Sequence, residues 1–243
     1  MKGFVDLAYR LPYVRHYKAF DAGFYVDFPA QLRQMGRWLR ERGCKVTLDI
    51  GAMTGGCIEH ISGLGIRMDG VQFTQDIRKI AAANLRKAGI ASTLFVSPVH
   101  RPLRVSTRRR YDGVVSLGWF NLPQPESGLR KTLKAIRGLL KPGGVFLFDF
   151  FQFRDLVVGP TESVELEPGL TYVSHAERLG KVFRRYHVWI RNHREILTET
   201  SDLVDRSTAD AQRLLHAEGF EVLEAEHLDL NYPREFWLAR AKA

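Results

Sequence analysis

Cysteine is nearly absent from this chain: Cys44 and Cys57 are the only two in 243 residues. They can form at most one bridge and are too few for a cysteine-built metal site. A disulfide scaffold is therefore excluded, no metal is expected, and free thiols in a reducing cytoplasm are the expectation. No apolar run approaches the ~20 residues of a membrane-spanning helix. The opening residues, Met-Lys-Gly-Phe-Val-Asp, carry no apolar leader, so a cytoplasmic protein without a membrane partner is expected. Internal repeats and low-complexity segments are also missing. Acidic residues are outnumbered, 27 against 36 Lys and Arg, for a net charge of +9. The basic residues are scattered and only Arg108-Arg109-Arg110 cluster, which argues against a nucleic-acid partner and leaves an acidic small molecule or protein.

What is present is an ordinary globular balance, 45% hydrophobic and 26% charged, in a length that suits one large domain or a domain with an insertion. Residues 28–42 have apolar positions at helical spacing and stop at Gly43. Strands are expected at 46–50, 67–73, 93–96, 112–117 and 145–151. Between them lie helices at 55–62, 74–87 (capped by Thr74) and 126–140. Strands alternating with helices mean right-handed crossovers and a parallel sheet. The expected class is α/β, a Rossmann-like doubly wound sheet whose ligands bind beyond the carboxyl ends of the strands.

Residues 164–204 break that rhythm and read as three antiparallel strands, 170–176, 181–191 and 195–204. In the middle one, Val182, Tyr186, Val188 and Ile190 suggest an apolar face, and Phe183, Arg185, His187 and Trp189 an aromatic, basic one. A helix at 209–218, capped by Ser207 or Thr208, and strands at 220–227 and 235–242 close the chain. Four regions result: 1–45, an aromatic lid and helix; 46–163, the core; 164–205, the insertion; 206–243, the closing elements.

The stretch Val46-Thr-Leu-Asp-Ile-Gly-Ala-Met-Thr-Gly-Gly56 is an apolar strand that ends at an acid and breaks into small residues before a helix. Such a turn lets backbone approach a ligand and offers helix-start amides to a polar group. It resembles motif I of the class I S-adenosylmethionine (SAM) methyltransferases, Leu-Asp-x-Gly-x-Gly-x-Gly, with Gly51 and Gly55 in register. Tyr111-Asp-Gly-Val-Val-Ser-Leu117 is similar to that family's fourth strand. Leu139-Leu-Lys-Pro-Gly-Gly-Val-Phe146 is similar to the turn before its fifth. The resemblance spans roughly residues 20–243, and the layout is nearest to small-molecule N-methyltransferases, including those acting on amino sugars.

The resemblance implies SAM as cofactor, held by Asp49, Gly51, Ala52, Met53, Gly55, Gln72, Phe73, Val99, His100 and Leu117. Three positions depart from the pattern. Met53 stands where the middle glycine belongs, Gln72 where an acid binds the ribose hydroxyls, and Val99 where an Asp accepts from adenine. An amide replaces charge-assisted bonds by weaker neutral ones. A small-molecule acceptor is expected against Tyr13, Tyr17, Trp119, Asn121 and His187, with the N-terminal aromatics as a lid. No residue is singled out as catalytic, because methyl transfer works largely by proximity and desolvation. Two other readings follow from the departures and the charge. One is a methyltransferase-like protein that no longer methylates, as a different enzyme or a hetero-partner; the other is RNA methylation steered by Arg108–Arg110. The insertion could equally be a pocket wall or a homodimer contact.

Overall fold

The computed structural model describes residues 28–98, 101–151, 162–228 and 234–242. Its order is α1 (Phe28–Glu41), β1 (Val46–Ile50), α2 (Gly56–Gly63), β2 (Arg67–Gln72), α3 (Gln75–Lys87) and β3 (Leu94–Val96). There follow β4 (Tyr111–Ser116), α4 (Glu126–Leu139) and β5 (Leu140–Phe151). An insertion of β6 (Glu162–Glu167), β7 (Leu170–Leu179), β8 (Val182–Arg191) and β9 (Arg194–Val204) precedes α5 (Thr208–Ala217), β10 (Phe220–Leu228) and β11 (Arg234–Ala241). Among the described residues no helix is long and apolar enough to cross a membrane.

The main sheet runs β10-β11-β5-β4-β1-β2-β3, parallel from β5 to β3, with β11 antiparallel to both its neighbours. The α/β class with a mostly parallel sheet is therefore as expected. The chain builds outward from β1 to β2 and β3, then returns to the other side of β1 with β4 and β5. That reversal puts the topological switch point between β1 and β4. Core residues divide by face: Leu48, Ile50, Val71, Val114 and Phe146 pack with α4 and α5, and Met68, Val115 and Leu147 pack with α1 and α2.

Local signals match the element ends. The Thr74 hydroxyl accepts from Ile77 N at 3.2 Å and starts α3. Ser207 and Asp210 form a reciprocal capping box that starts α5. Asp112 accepts from Lys45 N and Val46 N at 2.9 and 2.8 Å and from Lys141 Nζ at 2.6 Å, tying β4 to β1 and to β5. Lys141–Gly144 loop out as an irregularity in the ladder, because Leu140 pairs with Tyr111 and Val145 with Gly113. The ladder of β5 thus begins earlier than its apolar run.

The insertion differs from the sequence reading in one way. It has four strands, ordered β6-β7-β8-β9, so Glu162–Glu167 adds one. It also settles which face of β8 turns inward, a point the alternation leaves open: Phe183, His187 and Trp189 are buried, whereas Val182, Tyr186, Val188 and Ile190 are only partly so. Large aromatic rings bury more area than valines, and that decides which side turns inward.

Candidate active site

Register brings the site together. Asp49 pairs with Gly70 on one side and Val115 on the other, so two residues further on each strand the chain reaches Gly51, Gln72 and Leu117. Ser116 pairs with Phe148, which carries the same row to Asp149. Strand alternation gives these positions one face, the α2 side, at the carboxyl ends of four neighbouring strands about 4.8 Å apart. Asp149 had drawn no attention in the sequence. Its signal was a lone carboxylate in the apolar run 145–151, and it accepts from Gly118 N at the start of the β4 loop.

The turn after β1 is held tightly. Gly51 N and Ala52 N donate to Val71 O at 2.9 and 3.2 Å, and Asn84 Nδ2 of α3 donates to Thr54 O at 2.9 Å. Gly51 and Gly55 have φ of 88° and 91°, in the left-handed region. Met53, at the departing position, also has a positive φ, 41°, and its side chain lies in the core that contains Phe73 and Ile77. The turn keeps a glycine-like backbone there and accepts the strain of a side chain in it. The Phe73 ring covers Gly51: a Cβ on Gly51 would come within 3.0 Å of Phe73 Cζ.

Gln72 is completely buried, and neither its Nε2 nor its Oε1 has a hydrogen-bond partner among the described residues. A buried amide left unpaired costs about 1–3 kcal/mol, so its presence calls for a ligand that pairs it. Asp49 is buried as well, at 3% exposure. Burial pushes its carboxyl up to about 7, with the Cys57 thiol beside it opposing, and no cation is among the groups that shift it. Cys57 itself is pushed up by burial and by Asp49, and its sulfur lies 4.0 and 3.8 Å from those of Met35 and Met68. One face of the strand ends thus carries the unpaired donor and acceptor of Gln72 next to a buried acid that has a thiol, and no cation, acting on it. A diol and an ammonium group are what these would satisfy, and SAM carries both.

The β4 loop joins the site to the insertion. Trp119 is buried edge-on to Phe120 at 6.1 Å, and Leu117 is partly buried. Asn121 is buried, and its Nδ2 donates to Val204 O at 3.0 Å while Val204 N donates to Asn121 O at 2.7 Å. Arg206 donates to Phe120 O and Gln124 O at 3.0 and 2.8 Å, with its guanidinium 5.9 Å from the Phe120 ring centre. Burial lowers the pKa of Arg206. On the insertion, His187 Nδ1 and the Tyr172 hydroxyl lie 2.6 Å apart, and burial pushes His187 down to about 3. Tyr13, Tyr17, Val99 and His100 lie outside the described residues.

The acid inside β2, Asp69, is not part of this row. It faces the other way, accepting from Arg109 and, at 3.2 Å, from the Tyr111 hydroxyl. Two of the cluster's three arginines, Arg108 and Arg110, stay exposed. Among the described residues no group of His, Cys, Asp and Glu has the arrangement of a metal site.

No family model and no curated protein matches the sequence. Solved structures do match. A SAM-dependent methyltransferase from Clostridium acetobutylicum aligns with TM-score 0.81 at 17% identity, over 95% of this chain and 99% of that one. The sugar N-methyltransferase KedS8 from Streptoalloteichus aligns with TM-score 0.75 at 24% identity, over 93% of each chain. CalS10 from Micromonospora echinaspora, an amino pentose methyltransferase with SAM bound, aligns with TM-score 0.75 at 18% identity, over 93% and 96%. The chain has the class I methyltransferase fold.

Proposed function

We propose that this protein transfers a methyl group from SAM to a nitrogen or oxygen of a small molecule. The observation that carries the reading is the buried, unpartnered amide of Gln72 at the end of β2, in the row that also holds Asp49. SAM, when bound, supplies an electrophilic methyl on a sulfonium. This chain's residues do the rest. The Gln72 amide would accept from one ribose hydroxyl and donate to the other, and the Asp49 carboxylate would pair with the ammonium. The turn at Gly51–Gly55 would receive the polar end, and the Phe73 ring would flank the adenosine. By the resemblance, Val99 and His100 would stand on the adenine side.

Acceptor binding falls to Trp119, Asn121 and His187, with Tyr13 and Tyr17 from the N-terminal segment. An amine attacks only through a free lone pair, so it would have to lose its proton on entering the pocket, and alignment in a dry cleft would then supply the rate. Structural likeness to KedS8 and CalS10 supports an amino-sugar-like acceptor. The buried free thiols of Cys44 and Cys57 support a cytoplasmic setting.

A methyltransferase-like protein that has lost SAM is the second reading, favoured by Met53 and by the Phe73 ring against Gly51. Calorimetric titration with SAM and S-adenosylhomocysteine separates the two. Micromolar binding supports the first. Absence of binding up to millimolar ligand overturns it and turns the search to a partner protein or another ligand.

A further inference from the structure

A second depression lies at the opposite end of the sheet. A cavity of about 470 Å³ opens between the loop 103–107 and the last turns of α4. Its lining combines the polar Arg104, Arg110, Ser106 and Thr107 with the apolar Leu103, Val105, Ala135 and Leu139. Arg110 immediately precedes β4, whose six residues separate this cavity from the carboxyl-end row by about 20 Å.

The charge here is uncompensated. From residue 97 to residue 111 the chain contains no acid, and α4 has only Glu126, at its far end. Every other cation of the region with an acidic partner uses it locally: Arg109 on Asp69, Arg130 on Glu218, Lys141 on Asp112. Arg104 and Arg110 are exposed, and neither has an acidic partner among the described residues. Arg101, Lys131 and Lys134 add to the same field. Lys131 and Lys134 stand one helical turn before Ala135 and Gly138, which border the cavity. The loop is also fixed in place, because Leu103 N donates to Thr132 Oγ1 at 3.2 Å and Arg109 is anchored to Asp69. The backbone that carries Arg104 and Arg110 is thus anchored on both sides, while their guanidiniums stay free to turn towards an anion.

We propose that this cavity binds a nucleoside phosphate, with Arg104 and Arg110 on the phosphates, Ser106 and Thr107 as hydroxyl donors, and the apolar lining against the base. Forked guanidiniums suit phosphate oxygens. The cavity has the volume of a small-molecule site, and its apolar lining distinguishes it from a site for bare phosphate. A nucleotide here sits apart from the methyl-transfer cleft and is independent of that assignment.

The test is calorimetry of the full chain with uridine diphosphate, inorganic pyrophosphate and a short single-stranded RNA, at low and moderate salt. Uridine diphosphate should bind more tightly than pyrophosphate. Arg104→Ala/Arg110→Ala should weaken it by roughly tenfold per arginine. The same binding should persist in Gln72→Leu, whose lesion lies in the other cleft, and the double variant should melt with the wild type. Affinity unchanged in the double variant, or lost in Gln72→Leu, would overturn the site. Preference for RNA with a steep salt dependence, and none for uridine diphosphate, would overturn the nucleotide in favour of a nucleic-acid surface.

Discussion

Asn121 and Val204 hold each other twice: Val204 N donates to Asn121 O, and Asn121 Nδ2 donates to Val204 O. The loop that follows β4 and the strand that leaves the insertion therefore move as one piece. Asn121→Ala leaves a carbonyl short of its partner and should cost about 1–3 kcal/mol. Melting should fall by about 2–4 °C per kcal/mol. Because Arg206 spans the same junction, adding Arg206→Ala should cost less than the sum of the single losses. Additive losses in urea denaturation would show that the two contacts act separately.

Gln72 sets stability against binding. Gln72→Leu removes a buried unpaired amide and should raise stability by about 1–3 kcal/mol while weakening SAM binding at least tenfold. Gln72→Glu should do the reverse, tightening SAM roughly tenfold through charge-assisted bonds and lowering the melting temperature of the free protein. Thermal melts with and without SAM read both quantities. A Leu variant that binds as well as the wild type would remove Gln72 from the site.

Met53 tests the glycine turn. Replacement by Gly or Ala deletes the same buried side chain, costing about 2–5 kcal/mol. Gly relaxes the positive φ of 41° and Ala does not. Met53→Gly should therefore be about 1 kcal/mol more stable than Met53→Ala, the reverse of the order at an ordinary position. Chemical denaturation of the two variants decides it.

Two buried groups oppose each other with pH. Burial raises Asp49 from 3.8 to about 7, so between those values the folded chain keeps a proton that the unfolded chain has lost. From this group stability falls as pH rises across that window, by up to about 1.4 kcal/mol per unit. Burial lowers His187 from 6.5 to about 3, so from this group stability falls as pH drops below 6.5. The slopes nearly cancel, and the wild type should be flat between about pH 4 and 6.5. Asp49→Asn should leave a curve that rises with pH, and His187→Gln one that falls. Asp112 and Asp210, whose pKa values are lowered, act only in more acid solution. For Asp112, burial opposes the Lys141 pairing that lowers it; for Asp210, the Ser207 hydrogen bond leads. SAM, by pairing Asp49, should bind with release of a proton near pH 7, seen as a buffer-dependent binding enthalpy.

The parallel half of the fold was legible because its signals are local. The runs at Val46–Ile50 and Val145–Phe151 are apolar, Thr74 and Ser207 are caps, and Gly51 and Gly55 mark the turn. The insertion was less so. Glu162–Glu167 alternates acids with Ser, Val and Leu and reads as a polar linker until a neighbouring strand pairs it. Which face of β8 turns inward depends on what packs there, and a period of two cannot say. Asn121 suggested a ligand contact by its place after β4, but its partner, Val204, is 83 residues away. The pairing that leaves Gln72 alone is equally non-local.

The order of synthesis has a consequence in the main sheet. The strand that pairs with β5 is β11, at Arg234–Ala241, so the row Val145–Phe151 is made long before its neighbour. Until Arg234–Ala241 leave the ribosome, the outer edge of the strand carrying Phe146, Phe148 and Phe150 has nothing beside it, and such edges recruit foreign strands. The insertion's hairpins, whose partners are adjacent in sequence, can form during that wait. A chain stopped short of Arg234 would therefore be expected to aggregate through β5 rather than to unfold quietly.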